Sequence, residues 1–432
     1  MSMRRSLRFR IVALLAAATA TLAIAGCSPF AGKDRSTNGK VNLTLVTLDG
    51  GSDNKALDDI ISGFEAANPG IKVTATWVPE DTYPTKLKTM LLADPPDIAS
   101  PYGWGQTVGF EPLNKRVFDK YGINIDDYSS VMKTTCQWQS TVFCVGTTVG
   151  SQVILYNKKI FDEKKLPYPD AKKPMTFDEM ADLAAKLSTR GKTPKTSVYG
   201  ADMGTLLAYL DPADVLDDTG RTVQVTNPEF TGTVKTLARM VADGSAAPAG
   251  AVDSLGGGDS TALLVDGRVA MQIGDNFEID TLEHEGIKYG IAPTPIVAGS
   301  KPWIVSWTNG YGIPKRTKHP AEAAKFLAYM LQGGQKIQAK YGIMPTKLDA
   351  ANKWANTPER KQLFTVNSLI RPSVFNPDQW AWNAPILDAV TASMKGGRVD
   401  SLLAGAQPKA QQGNDTTWKQ FDQALAAAGL KK

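Results

Sequence analysis

Residues 41–78 read VNLTLVTLDGGSDNKALDDIISGFEAANPGIKVTATWV, and the periodicity of this stretch decides the fold class. Residues 41–48 have the composition of a strand. Leu57, Ile60, Ile61 and Phe64 then recur at the spacing of one helix face, and Asn68-Pro69-Gly70 ends that helix. Ile71, Val73, Ala75 and Trp77 alternate with polar neighbours, as in a half-buried strand. Strand, helix and strand in about forty residues make a βαβ unit, so the sheet is parallel here and the chain belongs to the α/β class.

Upstream lies an export signal. Arg4, Arg5, Arg8 and Arg10 precede an apolar run over residues 11–24 that is too short to span a bilayer comfortably. The run ends in Ile24-Ala25-Gly26-Cys27, a tetrad similar to a bacterial lipobox, in which the cysteine becomes the lipid-bearing N-terminus. Residues 1–26 are thus expected to be a lipoprotein signal peptide. Cys27 is the expected lipidation site, carrying diacylglyceryl and palmitate-type chains, and residues 27–40 are a flexible tether. The formal net charge is +5, and the four arginines of residues 1–26 account for all but one unit of it. No basic excess is left on the folded part to bind nucleic acid.

Downstream of the signal the chain is long enough for two lobes. Cys136 and Cys144 flank QWQSTVF; a hairpin turning near Ser140 would set them opposite each other, at the spacing a disulfide needs, in an oxidising compartment. His284 and His319 are not near a cysteine in sequence, so neither a metal site nor a cofactor is expected. A helix is expected from about Tyr83 to Ala93, then the short strand-end segment PPDIAS and a glycine-rich loop, PYGWGQTVGF. Thr176 and Glu179 form a capping box that opens the helix FDEMADLAAKLS. WIVSWTNGYGIP reads as a strand broken by a loop, ahead of the helix AEAAKFLAYMLQ.

In order and spacing, PPDI, LYNKKIF with LPYP, DGRVAMQIGDNF, NGYGIP before AEAAKFLAYML, YGIMPT and RPSVFNPDQWAW resemble the extracellular solute-binding proteins of family 1, the maltose-binding-protein-like receptors of carbohydrate ABC importers. The resemblance implies a periplasmic-binding-protein-like fold of type II, with two lobes, each a β-sheet flanked by helices, joined by hinge crossings. It places residues 41–152 and 309–360 in the first lobe, and 153–308 and 361–432 in the second. It further implies a monomeric lipoprotein, anchored to the outer face of the cell membrane through its N-terminal lipid. Such a receptor captures a small carbohydrate between closing lobes and delivers it to the ABC transporter permease subunits.

Sugars offer apolar faces and a rim of hydroxyls, so their sites pair aromatic rings with fixed polar groups. On that basis the ligand-binding candidates are Asp49, Tyr102, Trp104, Asp275, Asn276, Phe277, Trp307, Asn309, Trp380 and Trp382. Trp307 reads equally as a buried strand residue, and Trp380 and Trp382 could instead pack the start of a helix. Asp49 and Asp275 keep a polyamine receptor of the same fold open, and an anion receptor is the other same-fold alternative. A lipoprotein glycoside hydrolase is the reading from another class. The chain is expected not to be an enzyme, because no motif supplies nucleophile, base and orienter together.

Overall fold

The computed structural model describes residues 36–37, 40–48, 52–202, 211–248, 255, 260–378 and 380–430. The signal segment with Cys27, most of the tether, and Asp49 lie outside these residues.

The opening βαβ unit forms as its periodicity dictates. Strand Lys40–Leu48 pairs in parallel with Ile71–Val78, from Val41 opposite Ile71 to Leu48 opposite Val78. The helix Ser52–Ala67 between them buries Leu57, Ile60, Ile61 and Phe64. Its end is fixed by Asn68, whose amide donates to the Phe64 carbonyl over 2.8 Å. A two-residue strand, Ile98–Ala99, joins the other edge of Lys40–Leu48. Asp97, fully buried, accepts hydrogen bonds from the Thr44 amide and hydroxyl and from the Thr317 hydroxyl, which ties this sheet to a segment more than two hundred residues away. The core beneath the sheet continues into the helix Pro320–Tyr329, where the Phe326 ring meets Phe64 edge-on at 5.0 Å. Where a loop was expected, Trp104–Thr107 forms one helical turn.

The second sheet runs in the order Ala246–Ala247, Tyr199–Asp202, Val269–Asp275, Gly150–Asn157, Tyr289–Ala292. The first three strands are parallel and the last two pairings antiparallel. Helices Phe177–Leu187, Pro228–Ala242 and Trp380–Met394 cover one face. The capping box of Thr176 and Glu179 opens the first of these as expected. Helices Leu348–Trp354 and Pro358–Asn367 share a core with the second sheet, and the Ile291 amide donates to Gln362 over 3.1 Å. The C-terminal helix Val399–Ala428 begins in the second lobe's core but ends against Val108 and Phe143 of the first.

Between the sheets the chain crosses along neighbouring paths. Val145–Gly146 pairs antiparallel with Gly310–Tyr311, and Gly150–Ser151 pairs with Ser306–Trp307. The third crossing lies alongside, with the Val149 amide donating to the Met344 carbonyl and Thr346 to Thr147. At Gly150 a Cβ would stand 2.4 Å from the Trp307 ring, so only glycine lets that ring lie on the crossing. The hairpin of Gln137–Trp138 and Thr141–Val142 turns as expected about Ser140, and Cys136 and Cys144 are joined beneath it with Cα atoms 4.9 Å apart. Replacing both cysteines by serine should lower stability by about 2–3 kcal/mol through the freed loop entropy, measured as a shift in the denaturant midpoint.

Candidate ligand-binding site

In open α/β sheets ligands collect beyond the carboxyl ends of the strands. Here Ser100 and Tyr102 follow the carboxyl end of Ile98–Ala99 in the first lobe, and Asp202 and Asp275 end the strands Tyr199–Asp202 and Val269–Asp275 of the second. The floor of the gap between the lobes is the pair of hinge crossings.

At the floor, Gln152 donates from Nε2 to Oδ1 of Asp275 over 3.3 Å, and burial pushes the Asp275 carboxyl above its usual range while this hydrogen bond pulls it back. Gln152 is buried, and its Oε1 meets no partner within the protein. Beside them the half-buried rings of Phe277 and Trp307 lie 6.4 Å apart and tilted. This group combines apolar ring surface with a carboxylate and a spare amide oxygen, the mixture that recognises hydroxyl-rich molecules. Asn309 is half-buried between the crossings. Asn276 takes another role: its Oδ1 accepts from the Ser151 amide at 2.7 Å and its Nδ2 donates to the Val149 carbonyl at 3.1 Å. Both ends of this side chain hold the hinge backbone, so Asn276 is a clamp on the crossing and not the free ligand contact expected from its position.

One wall is a cavity of about 350 Å³ between Thr134, Thr135 and Gln137 of the first lobe and Trp303, Ser306 and Phe375 of the second. Among the described residues two cations reach it, and each has an acid beside it. Lys133 pairs with Asp126 over 2.5 Å. Arg371 pairs with the nearly buried Asp211 over 3.0 Å and donates further to the carbonyls of Pro302, Lys301 and Pro372. Asp211 also accepts from the Ser373 hydroxyl and the Ala213 amide. Trp303 donates from Nε1 to the Arg371 carbonyl, which fixes its ring beside the same segment.

Trp104 lies at the far side of this cavity, 6.3 Å from Trp138 and 5.8 Å from Phe375. Tyr102 is half-buried on a second, wider groove of about 870 Å³ that it shares with Asp378. Burial raises the Tyr102 hydroxyl, helped by Glu80 and Asp378 nearby, so it stays a neutral donor. Trp382 departs from expectation. It is 2 % exposed in the second lobe's core, and its Nε1 donates to Asn376 over 3.0 Å. Sealed by that packing, its ring offers no face to a ligand. Trp380 starts the same helix, and its ring lies outside the described residues.

The sequence reading passed over Gln152, Trp138, Trp303, Arg371 and Phe375. Trp303 stands next to Pro302 and four residues before Trp307, and Arg371 and Phe375 lie in the segment RPSVFNPDQWAW. Among the described residues no cluster of His, Cys, Asp and Glu could hold a metal ion.

Behind Arg371, Asp214 accepts from the Ser300 hydroxyl. Burial pushes its carboxyl up to about 6; the charge of Asp211 adds to the rise, while Ser300 and Arg371 oppose it. The folded state thus favours the protonated acid. That contribution is complete below about pH 4 and is lost as the pH rises through about 6. Between about pH 4 and pH 7 the protein should lose about 2 kcal/mol of stability relative to Asp214→Asn, read from denaturant midpoints at each pH.

Comparison with known proteins agrees with this architecture. A binding protein of Brucella abortus (strain 2308) is 24 % identical over 409 residues, covering 90 % of this chain and 96 % of its own. An ABC substrate-binding protein from Listeria monocytogenes, solved in complex with cycloalternan, superposes with a TM-score of 0.70 at 18 % identity, over 91 % of this chain and all of the other. The sugar-binding protein MalE from Xanthomonas citri gives 0.72 at 17 % identity, over 89 % of this chain and all of its own. These likenesses share the two-lobed fold. The family profile of bacterial extracellular solute-binding proteins matches residues 49–337, and the chain belongs to that family.

Proposed function

We propose that this protein is the substrate-binding lipoprotein of an ABC importer, holding a neutral sugar or oligosaccharide between its lobes and passing it unaltered to the permease. The observation that carries the choice of ligand is the pairing of charge in the inter-lobe cavity. Among the described residues the cations that reach it, Lys133 and Arg371, each have an acid beside them, so the local charge is balanced and gives an anionic solute little net attraction. A diamine would need several free carboxylates, whereas at the floor Asp275 stands beside Gln152, Phe277 and Trp307. Rings, amides and hydroxyls remain, and these suit a polyol. The similar Listeria and Xanthomonas proteins bear on the same reading, one solved with cycloalternan and the other a sugar-binding protein.

A sugar panel screened by thermal shift, followed by calorimetry, tests this. Phe277→Ala, with unfolding temperature retained, should weaken the best ligand by about 1–2 kcal/mol, roughly ten- to thirtyfold. Tight binding of a polyamine or an anion, with no response to any carbohydrate, would overturn the ligand class. Release of hydrolysed sugar would make the protein a glycosidase. The monomeric state is checked in the same samples by light scattering.

The lipid on Cys27 belongs to the same proposal, since a receptor that serves a membrane permease works best when tethered beside it. Cys27→Ala should abolish labelling by a fatty-acid analogue and release the protein into the medium. Retained labelling would place the anchor elsewhere.

A further inference from the structure

We infer that the last turns of the C-terminal helix form a clasp between the lobes that sets how readily they part, and through that sets ligand affinity. The link to affinity rests on the inter-lobe binding proposed above; the clasp itself does not.

The helix Val399–Ala428 has 30 residues, about 45 Å at 1.5 Å per residue. Its first half is part of the second lobe, where Val399, Leu403, Ala406 and Ala410 lie in the core with Trp382 and Val390. The next turns are bound to the same lobe by polar contacts. Asn414 donates to the carbonyls of Gly220 and Arg221, and Trp418 donates from Nε1 to Gly220 over 2.7 Å, with the Arg221 guanidinium 3.9 Å above its ring. Through Trp418 the helix must move with the second lobe.

One turn further on it meets the other lobe. Phe421 and Leu425, each about 1 % exposed, pack with Val108 and Phe143. Phe421 stands edge-on to Trp138 at 5.1 Å, and Phe375 closes the group at 4.6 Å from Trp138. The surface they land on is stiff. Trp138 rides on the hairpin closed by Cys136 and Cys144, and the Phe143 amide donates to the Cys136 carbonyl over 2.8 Å.

An arm rooted in one lobe and seated on the other must unseat when the lobes part. Opening therefore exposes the apolar surfaces of Phe421 and Leu425 to water, a cost that opposes it. One feature works in the opposite sense: the indole Nε1 of Trp138 is buried without a partner, and opening would hydrate it. The clasp is thus a balance, holding the lobes together without locking them. A ligand that binds the closed form gains affinity in proportion to the closed fraction.

The test is small-angle scattering of the mature, ligand-free protein. Phe421→Ala and Leu425→Ala should each increase the radius of gyration while keeping a cooperative thermal unfolding, and Phe421→Leu should restore the compact form. Calorimetry with the best sugar from the panel should show about tenfold weaker binding for Leu425→Ala, a residue that lines neither cavity, whereas Phe421 borders the Tyr102 groove. If Phe421→Ala does not fold, Leu425→Ala, the smaller deletion, carries the test. Folded variants whose scattering superimposes on the parent would overturn the clasp, whether or not any sugar binds. An opened form with unchanged affinity would overturn its link to binding.

Discussion

The lobes are held in register by crossings that lie closer together than side chains normally permit. At Gly146 a Cβ would stand 2.1 Å from Thr308, and at Gly310 it would stand 2.6 Å from the sulfur of Cys144. Neither neighbour can retreat easily, because Thr308 lies in a paired crossing and Cys144 is fixed by its disulfide. Once the crossings are this close, Trp307 must lie over Gly150 and face Phe277, and Asn276 reaches the backbone of Val149 and Ser151. The floor of the binding gap is a by-product of hinge packing.

What was legible in the sequence is what short-range periodicity encodes. The first strand, helix and strand could be read because residues within one turn or one pleat report on each other. The disulfide was legible for the same reason, its two cysteines sitting across one tight hairpin. The cavity was not. Arg371 meets Asp211 across 160 positions, and Phe375 meets Trp138 across more than two hundred, so no local window shows either. Trp382 and Asn276 misled for a related reason. Tryptophan in a proline-flanked loop, or asparagine after a strand, looks free until the helix or crossing that covers it is placed.

Charge at the cavity is arranged with little left over. Arg371 satisfies one carboxylate and three carbonyls, and the same Asp211 holds Ser373, so the segment leading to Phe375 is fixed at its start. Removing either partner would strand the other in a partly buried place, which costs more than the pair contributes. The pairing thus shapes the wall of the cavity and balances its charge.

The interleaving of the lobes reaches back to the ribosome. The core under Leu43, Leu45 and Phe64 takes in Leu113, Val117 and Met132 early, but it is completed by Phe326 and Leu327 only when some 260 more residues have been made. At translation speeds of about 5–20 residues per second this is an interval of tens of seconds. Contacts so distant along the chain also form slowly once available. A core completed this late leaves the fold unfinished for most of the chain's synthesis, and that delay is an asset to a protein whose working place lies beyond a membrane.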